Sequence, residues 1–195
     1  DKTLIEMWDE QLISNAIPIY EKRAEFIEAF EPVFQHYYEI VSGTKEIVGI
    51  GYNTALKDKS YEILLAESME HDRHSTYTNV GVHKDDFIFL IDNHAVKHYA
   101  SQGQQKSFIV AIKLAQFDFN YKRIGHKPIL LLDDIFDKLD DNRVSQLVNL
   151  VGNDHFGQVF ITDTQRARIK YLMENTVVNY KIFNVREGVI ESDNG

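Results

Sequence analysis

Apolar positions first recur at helical spacing and later gather into short unbroken runs, and that change of pattern organises the chain. From Leu4 to about Ser42, Leu4, Trp8, Leu12, Ile19, Phe26, Phe30 and Phe34 fall on one broad stripe with acids and lysines between them, which predicts helix. The stripe is long for a single globular helix and holds Pro18 and Pro32, so two or three helices or an extended arm are expected. Core packing is the role expected of its aromatic residues. Gly43 is placed to cap the helical stretch, and a strand is expected from about Glu46 to Tyr52. Ser60 opens a helix reaching about His71. Phe87–Ile91 then reads as a strand, and Asp92-Asn93 as a turn.

The second half alternates. Ser101, with Gln104 three residues later, opens a strongly apolar helix through Phe108, Val110, Leu114 and Phe117. Ile129-Leu-Leu-Leu132, bounded by Pro128, is a continuous apolar run and predicts a strand buried on both faces. Asp140 or Asp141 is placed to cap a helix reaching about Val151. Gly157–Thr162 predicts another buried strand, Gln165 to about Asn175 a helix, and Tyr180–Ile190 a terminal strand and turn. Helices alternating with strands argue for α/β layering with a mainly parallel sheet.

Composition narrows the setting. The 195 residues fit one large domain or two small ones, with 44% hydrophobic and 26% charged residues. The net charge of −9 counts against strong nucleic-acid binding by this domain on its own, unless a basic patch is local. The chain has no cysteine, no run of 18 apolar residues and no signal-peptide pattern at its start, so a cytoplasmic protein is expected. It does not begin with Met, and a piece of a longer protein is expected.

The candidate chemistry lies at two places. Asp133 and Asp134 stand at the carboxyl end of the central run, where open α/β sheets bind ligands. One acid could hold Mg²⁺ and its neighbour could orient an attacking water; equally, both could cap a helix N-terminus. Gly103 at a helix start would let a phosphate approach free backbone N–H groups, while Ser101 and Gln104 could simply form a capping box. Ser42-Gly-Thr-Lys45 is not a phosphate loop, because the residue order and the upstream glycine are wrong. His71, Arg73 and His74 read as a solvated helix end rather than a metal site, and Gly81-Val-His-Lys-Asp-Asp86 as a loop entering a strand.

Taken together, Ser101-Gln-Gly-Gln-Gln105, Leu132-Asp-Asp134 and Asp137-Lys-Leu-Asp140 resemble the ATP-binding-cassette superfamily, in its branch of chromosome and DNA-repair ATPases. With Gly81–Asp86 and Tyr99–Lys106 in matching order and spacing, the chain is similar to the C-terminal half of the RecF family. The resemblance implies the C-terminal lobe of an ABC-type ATPase head over 79–195, after a mostly helical arm region with a short strand over 1–78. It implies ATP and Mg²⁺ as cofactors. Ser101, Gln102, Gly103 and Gln104 would form the signature motif that caps ATP held by a second protomer. Asp133 would bind the metal, and Asp134 would stand where many relatives carry a catalytic glutamate. Asp137, Leu139 and Asp140 would form a loop at the dimer interface, and Thr162 and Asp163 would be sensor candidates. No Gly-x-x-x-x-Gly-Lys-Ser/Thr occurs, so the chain is expected to carry half of each composite ATP site and to be inactive alone, the longer protein being a slow ATPase. Implied partners are single-stranded and gapped DNA, a second copy in an ATP-dependent dimer, and RecO- and RecR-type mediators, with no membrane. A transporter-type cassette and a non-enzymatic interaction module are the alternatives; the absence of a histidine at Thr162-Asp163 counts against the first.

Overall fold

The computed structural model describes residues 2–134, 136, 139–174 and 179–192. It comprises two compact units, Asp1–Gln35 with Glu46–Ala100, and His36–Lys45 with Ser101–Gly195. Residues 79–100, grouped with the C-terminal lobe on sequence, therefore pack with the first unit.

The apolar stripe forms one helix, α1 (Lys2–Ser42), rather than two or three. Its buried side is a strict alternation of three- and four-residue steps: Ile13, Ala16, Tyr20, Arg23, Ile27, Phe30, Phe34. An interior proline removes a hydrogen bond at a cost of about 3 kcal/mol. Pro18 and Pro32 both lie on the exposed side, so each defect faces water while the packed side holds the helix through it. Gly43 stops α1 in the left-handed region, at φ 67°, with its N–H on the Glu39 carbonyl at 3.0 Å.

In the first unit, β1 (Val48–Asn53), β2 (Asp86–Ile91) and β3 (His94–Ala95) form an antiparallel sheet in that order. Asp92 and Asn93, at φ 48° and 64°, make the tight turn between β2 and β3 that two central residues with positive φ favour. Glu31 and Gln35 of α1 accept hydrogen bonds from the Ile50 and Val48 N–H groups, both at 2.7 Å, which fastens β1 along the helix. Helix α2 (Tyr61–Ser75) packs Tyr61, Leu64 and Leu65 around Ala16. A four-residue helix, α3 (Val96–Tyr99), closes the unit.

The second unit holds α4 (Gln102–Ile124), β4 (Leu130–Asp133), α5 (Asp141–Val151), β5 (Val159–Thr162) and α6 (Arg166–Glu174), followed by an antiparallel hairpin of β6 (Phe183–Arg186) and β7 (Val189–Ser192). Asn175, where the last helix was expected to end, lies outside the described residues. The expected parallel pairing is β4 with β5, Asp133 standing opposite Thr162. The core joins Tyr37, Tyr38 and Val41 to Phe108, Leu114, Leu132, Leu147 and Phe156. Phe156 is ringed by Phe117 at 5.0 Å and Tyr37 at 6.1 Å. Burial, and then the nearby Asp118 carboxylate, push the Tyr37 hydroxyl up to about 12.

The two central strands are not buried on both faces, as their unbroken apolar runs predicted. Leu132 is 1% exposed but Leu131 is 63% exposed, and burial alternates along β5 in the same way. Successive side chains of a strand point to opposite faces. In this chain one face of the β4–β5 pair meets the core, and the other carries Leu131 and Phe160 to the surface.

Candidate active site

The parallel register of β4 and β5 brings their carboxyl ends together, and the chemistry collects there. The Thr162 hydroxyl donates to Asp133 Oδ1 and accepts from the Asp134 N–H at 3.2 Å. Asp134 has φ 47°, a left-handed conformation that aspartate tolerates better than most residues. That turn ends the strand and aims the Asp134 carbonyl at α4, where Lys106 Nζ donates to it at 2.5 Å. Both carboxylates are exposed, so neither strand-end acid is lost in the core. Among the described residues no three side chains of metal-ligand type converge. A Mg²⁺ ion here would therefore rest on Asp133 with phosphate oxygens and water, the coordination this ion accepts.

The start of α4 is built as a capping box. Ser101 Oγ accepts from the Gln104 N–H at 3.2 Å, and the Gln104 side chain accepts from the Ser101 N–H at 2.8 Å. The structural reading of these residues is thus realised. The box nevertheless leaves room for an anion. The Gln102 and Gly103 N–H groups fall in the first turn, where a helix offers no internal acceptor. The Ser101 hydroxyl, accepting from Gln104, keeps its own hydrogen to donate. Ser101 and Gln102 are exposed.

Asp140 caps α5, its Oδ1 accepting from the Arg143 N–H at 3.0 Å and its Oδ2 lying 3.3 Å from Arg143 Nε. Leu139 is buried in this chain, so it can give an interface the shape of its loop but not its side chain. Asp137 lies outside the described residues. Arg143 reaches on to the fully buried Ser107 of α4 at 3.4 Å, which fastens the start of α5 to α4. Of the two sensor candidates, Thr162 belongs to the tip. The Asp163 carboxylate is turned to the Gln165 N–H at 2.6 Å, ahead of α6.

Lys106 is the site residue that sequence reasoning passed over. It stands in the quoted motif as a cation one turn into α4, but nothing in a linear pattern says that it reaches a carbonyl 28 residues away. Gly81–Asp86 belongs to the first unit and is consumed there. Asp85 accepts from Tyr52 at 2.5 Å and from Arg23 at 3.1 Å, and Arg23 also holds the Val82 carbonyl at 2.6 Å.

No protein-family model matches the chain. It is 46% identical over 185 residues to the DNA replication and repair protein RecF of Flavobacterium johnsoniae, covering 95% of this chain and 52% of that protein. It is 44% identical over 191 residues to the RecF of Bacteroides thetaiotaomicron, with 97% and 52% covered. The chain thus spans about half the length of the curated relatives it matches. Among solved structures, the recombination mediator RecF with the ATP analogue ATPrS, from the RecFOR pathway, superposes with a TM-score of 0.75 at 26% identity, covering 98% of this chain and 51% of that one. A structure of an SMC ATPase, at a TM-score of 0.50 and 16% identity, covers 88% of this chain and 86% of its own, and shares the fold alone. The architecture is therefore that of the C-terminal part of an ABC-type ATPase head, and over nearly its whole length the chain is similar to the C-terminal half of RecF proteins.

Proposed function

We propose that this chain is the C-terminal half of a RecF-type, ATP-dependent DNA-binding protein of recombinational repair, gap repair and replication restart. ATP would be sandwiched between two protomers, and the closed dimer would grip single-stranded or gapped DNA in the cytoplasm. RecO- and RecR-type mediators would be its protein partners. The observation that carries this reading is the pair of exposed places in one unit: the Asp133-Asp134-Thr162 tip and the open first turn of α4. Relatives solved with ATP and with an ATP analogue support nucleotide as the ligand.

In this reading, Asp133 would hold the Mg²⁺ that accompanies ATP, and the ion would supply the positive charge that offsets the phosphates. Thr162 fixes the Asp133 carboxylate, and Asp134 orients the attacking water from an exposed position. Asp134 is shorter by one methylene than a glutamate, which makes slow turnover the expectation. Ser101 and the Gln102–Gln104 turn contact the γ-phosphate of nucleotide bound by the opposite protomer, through backbone N–H groups and the serine hydroxyl. Asp140, beside Asp137 and Leu139, lies at the protomer interface. Asp163 shapes the start of α6 beside the sensor Thr162. The exposed Leu131 and Phe160 face of the sheet is covered by the remaining half of the protein.

The test uses a protein that joins this chain to a phosphate-loop half. ATP should drive dimerisation and DNA binding that weakens with salt. Ser101→Arg should abolish the dimer while ATP still binds, and Asp133→Asn should reduce turnover by about a hundredfold or more. Normal ATP-driven dimerisation of Ser101→Arg would remove the cross-protomer assignment. An Asp134-dependent ATPase in residues 1–195 alone would remove the composite site altogether.

A further inference from the structure

Lys106, in the first turns of α4, spends its charge on a neutral partner. Its Nζ donates to the Asp134 carbonyl at 2.5 Å, although two exposed carboxylates stand at the same strand end. A charged donor makes the stronger kind of hydrogen bond. The bond falls where the backbone is least at ease. Asp134 lies at φ 47°, in the left-handed region that a residue with a Cβ adopts at a cost. Such a conformation persists where its surroundings fix it. Two groups do so here. Thr162 Oγ1 accepts from the Asp134 N–H at 3.2 Å, and Lys106 takes the carbonyl. Both peptide groups that flank the Asp134 Cα are therefore held. Holding them sets φ and ψ together, and with them the direction in which the side chain leaves the backbone.

We propose that Lys106 is a positioning residue for ATP turnover: by holding the Asp134 carbonyl it aims the Asp134 carboxylate at the attacking water, and it ties that aim to the placement of α4. The inference rests on the nucleotide reading of the Asp133-Asp134 tip. Lys106 acts through the Asp134 backbone and not on the phosphates. A lysine kept for phosphate would be left to solvent, whereas this one is half-buried and engaged. Its stem also starts from a fixed point. The next residue, Ser107, is fully buried and accepts from Arg143 at 3.4 Å. Gln102 stands one turn before Lys106 on the same face of α4, so the helix start and the Asp134 turn share one support. All of these residues belong to the second unit.

The test uses a protein that joins this chain to a phosphate-loop half. Lys106→Met keeps the aliphatic stem and removes the donor. It should lower kcat by about ten- to a hundredfold, with KM and ATP-driven dimerisation unchanged. Lys106→Arg, which can still donate to a carbonyl, should recover most of the rate. Lys113→Met, at an exposed lysine two turns further along α4, should leave turnover unchanged. In an Asp134→Ala background, Lys106→Met should cost nothing more, because the group that it aims is gone. A second readout contains no nucleotide. In the 195-residue chain the Asp134 amide hydrogen should exchange with solvent faster in Lys106→Met than in the parent or in Lys106→Arg, at unaltered helix content by circular dichroism. The inference is overturned if Lys106→Met turns over normally, if it raises KM instead of lowering kcat, or if Asp134 exchange is unchanged. It is equally overturned if the losses of Lys106→Met and Asp134→Ala add in full, as they would for a lysine in contact with phosphate. Normal turnover of Asp134→Ala removes the nucleotide reading of Asp134 and this inference with it. Slow turnover of Asp134→Ala beside normal turnover of Lys106→Met removes this inference alone.

Discussion

Two pairs of neighbouring aspartates flank two strands, and they meet opposite fates. Asp85 and Asp86 precede and begin β2; Asp133 and Asp134 end and follow β4. The Asp85 side chain is 4% exposed and is held by Arg23 and Tyr52, while Asp86 accepts from the Phe87 N–H at 2.8 Å. At the β4 tip both acids are exposed, and one threonine hydroxyl bridges the Asp133 carboxylate and the Asp134 backbone. The first pair is spent on building a loop. The second leaves carboxylate oxygens for a ligand, at the strand end where α/β sheets bind them. Two adjacent acids beside an apolar run are therefore not a site by themselves; what their oxygens already hold decides the matter.

The contrast can be broken experimentally, beginning with the loop. Gly81 sits at φ 120°, and a Cβ there would lie 2.1 Å from the hydroxyl oxygen of the buried Tyr61. Gly81→Ala should cost about 3 kcal/mol or more in chemical denaturation, because both backbone and core resist it. Asp85→Ala should cost about 2–3 kcal/mol, below the full penalty for breaking a buried ion pair because Arg23 keeps partial access to water. The same network predicts a pH dependence. Burial first, and then the hydrogen bond to Asp85, raise the Tyr52 hydroxyl above its ordinary value of 10.0. The unfolded tyrosine then loses its proton first, so this contribution to stability is intact below about pH 10 and declines as pH rises through the raised value. Melting temperatures between pH 9 and 12 should fall less steeply in Tyr52→Phe. The smallest effect belongs to the tip: Asp133→Asn should change stability by less than about 0.5 kcal/mol, as surface substitutions do. A large loss there would mean that the tip too is structural.

Much of this was legible in the residues. The capping box at Ser101 and Gln104, the Asp140 cap, the stop at Gly43 and the Asp92-Asn93 turn are local chemistry, and local chemistry reads directly from sequence. The continuity of α1 was not legible, because a proline's effect depends on which side of the helix it meets, and both prolines face water. Nor was the half-exposure of β4. An unbroken apolar run says that both faces shun water, but not that both are covered within the same chain. At the candidate site, the acids at 133 and 134 and the Ser101–Gln104 helix start stand out by pattern, whereas Lys106 and the bridging part of Thr162 arise from pairings across 28 residues or more.

The hydroxyl between the two strand ends has a direction. Because it receives the Asp134 amide hydrogen, its own hydrogen is left to point at Asp133, so amide, hydroxyl and carboxylate form a short one-way relay of polarity. Such a relay holds the carboxylate at its far end in one orientation. Serine at 162 would preserve that bias, valine would erase it, and the Asp133 carboxylate would then have lost the group that tells it which way to face.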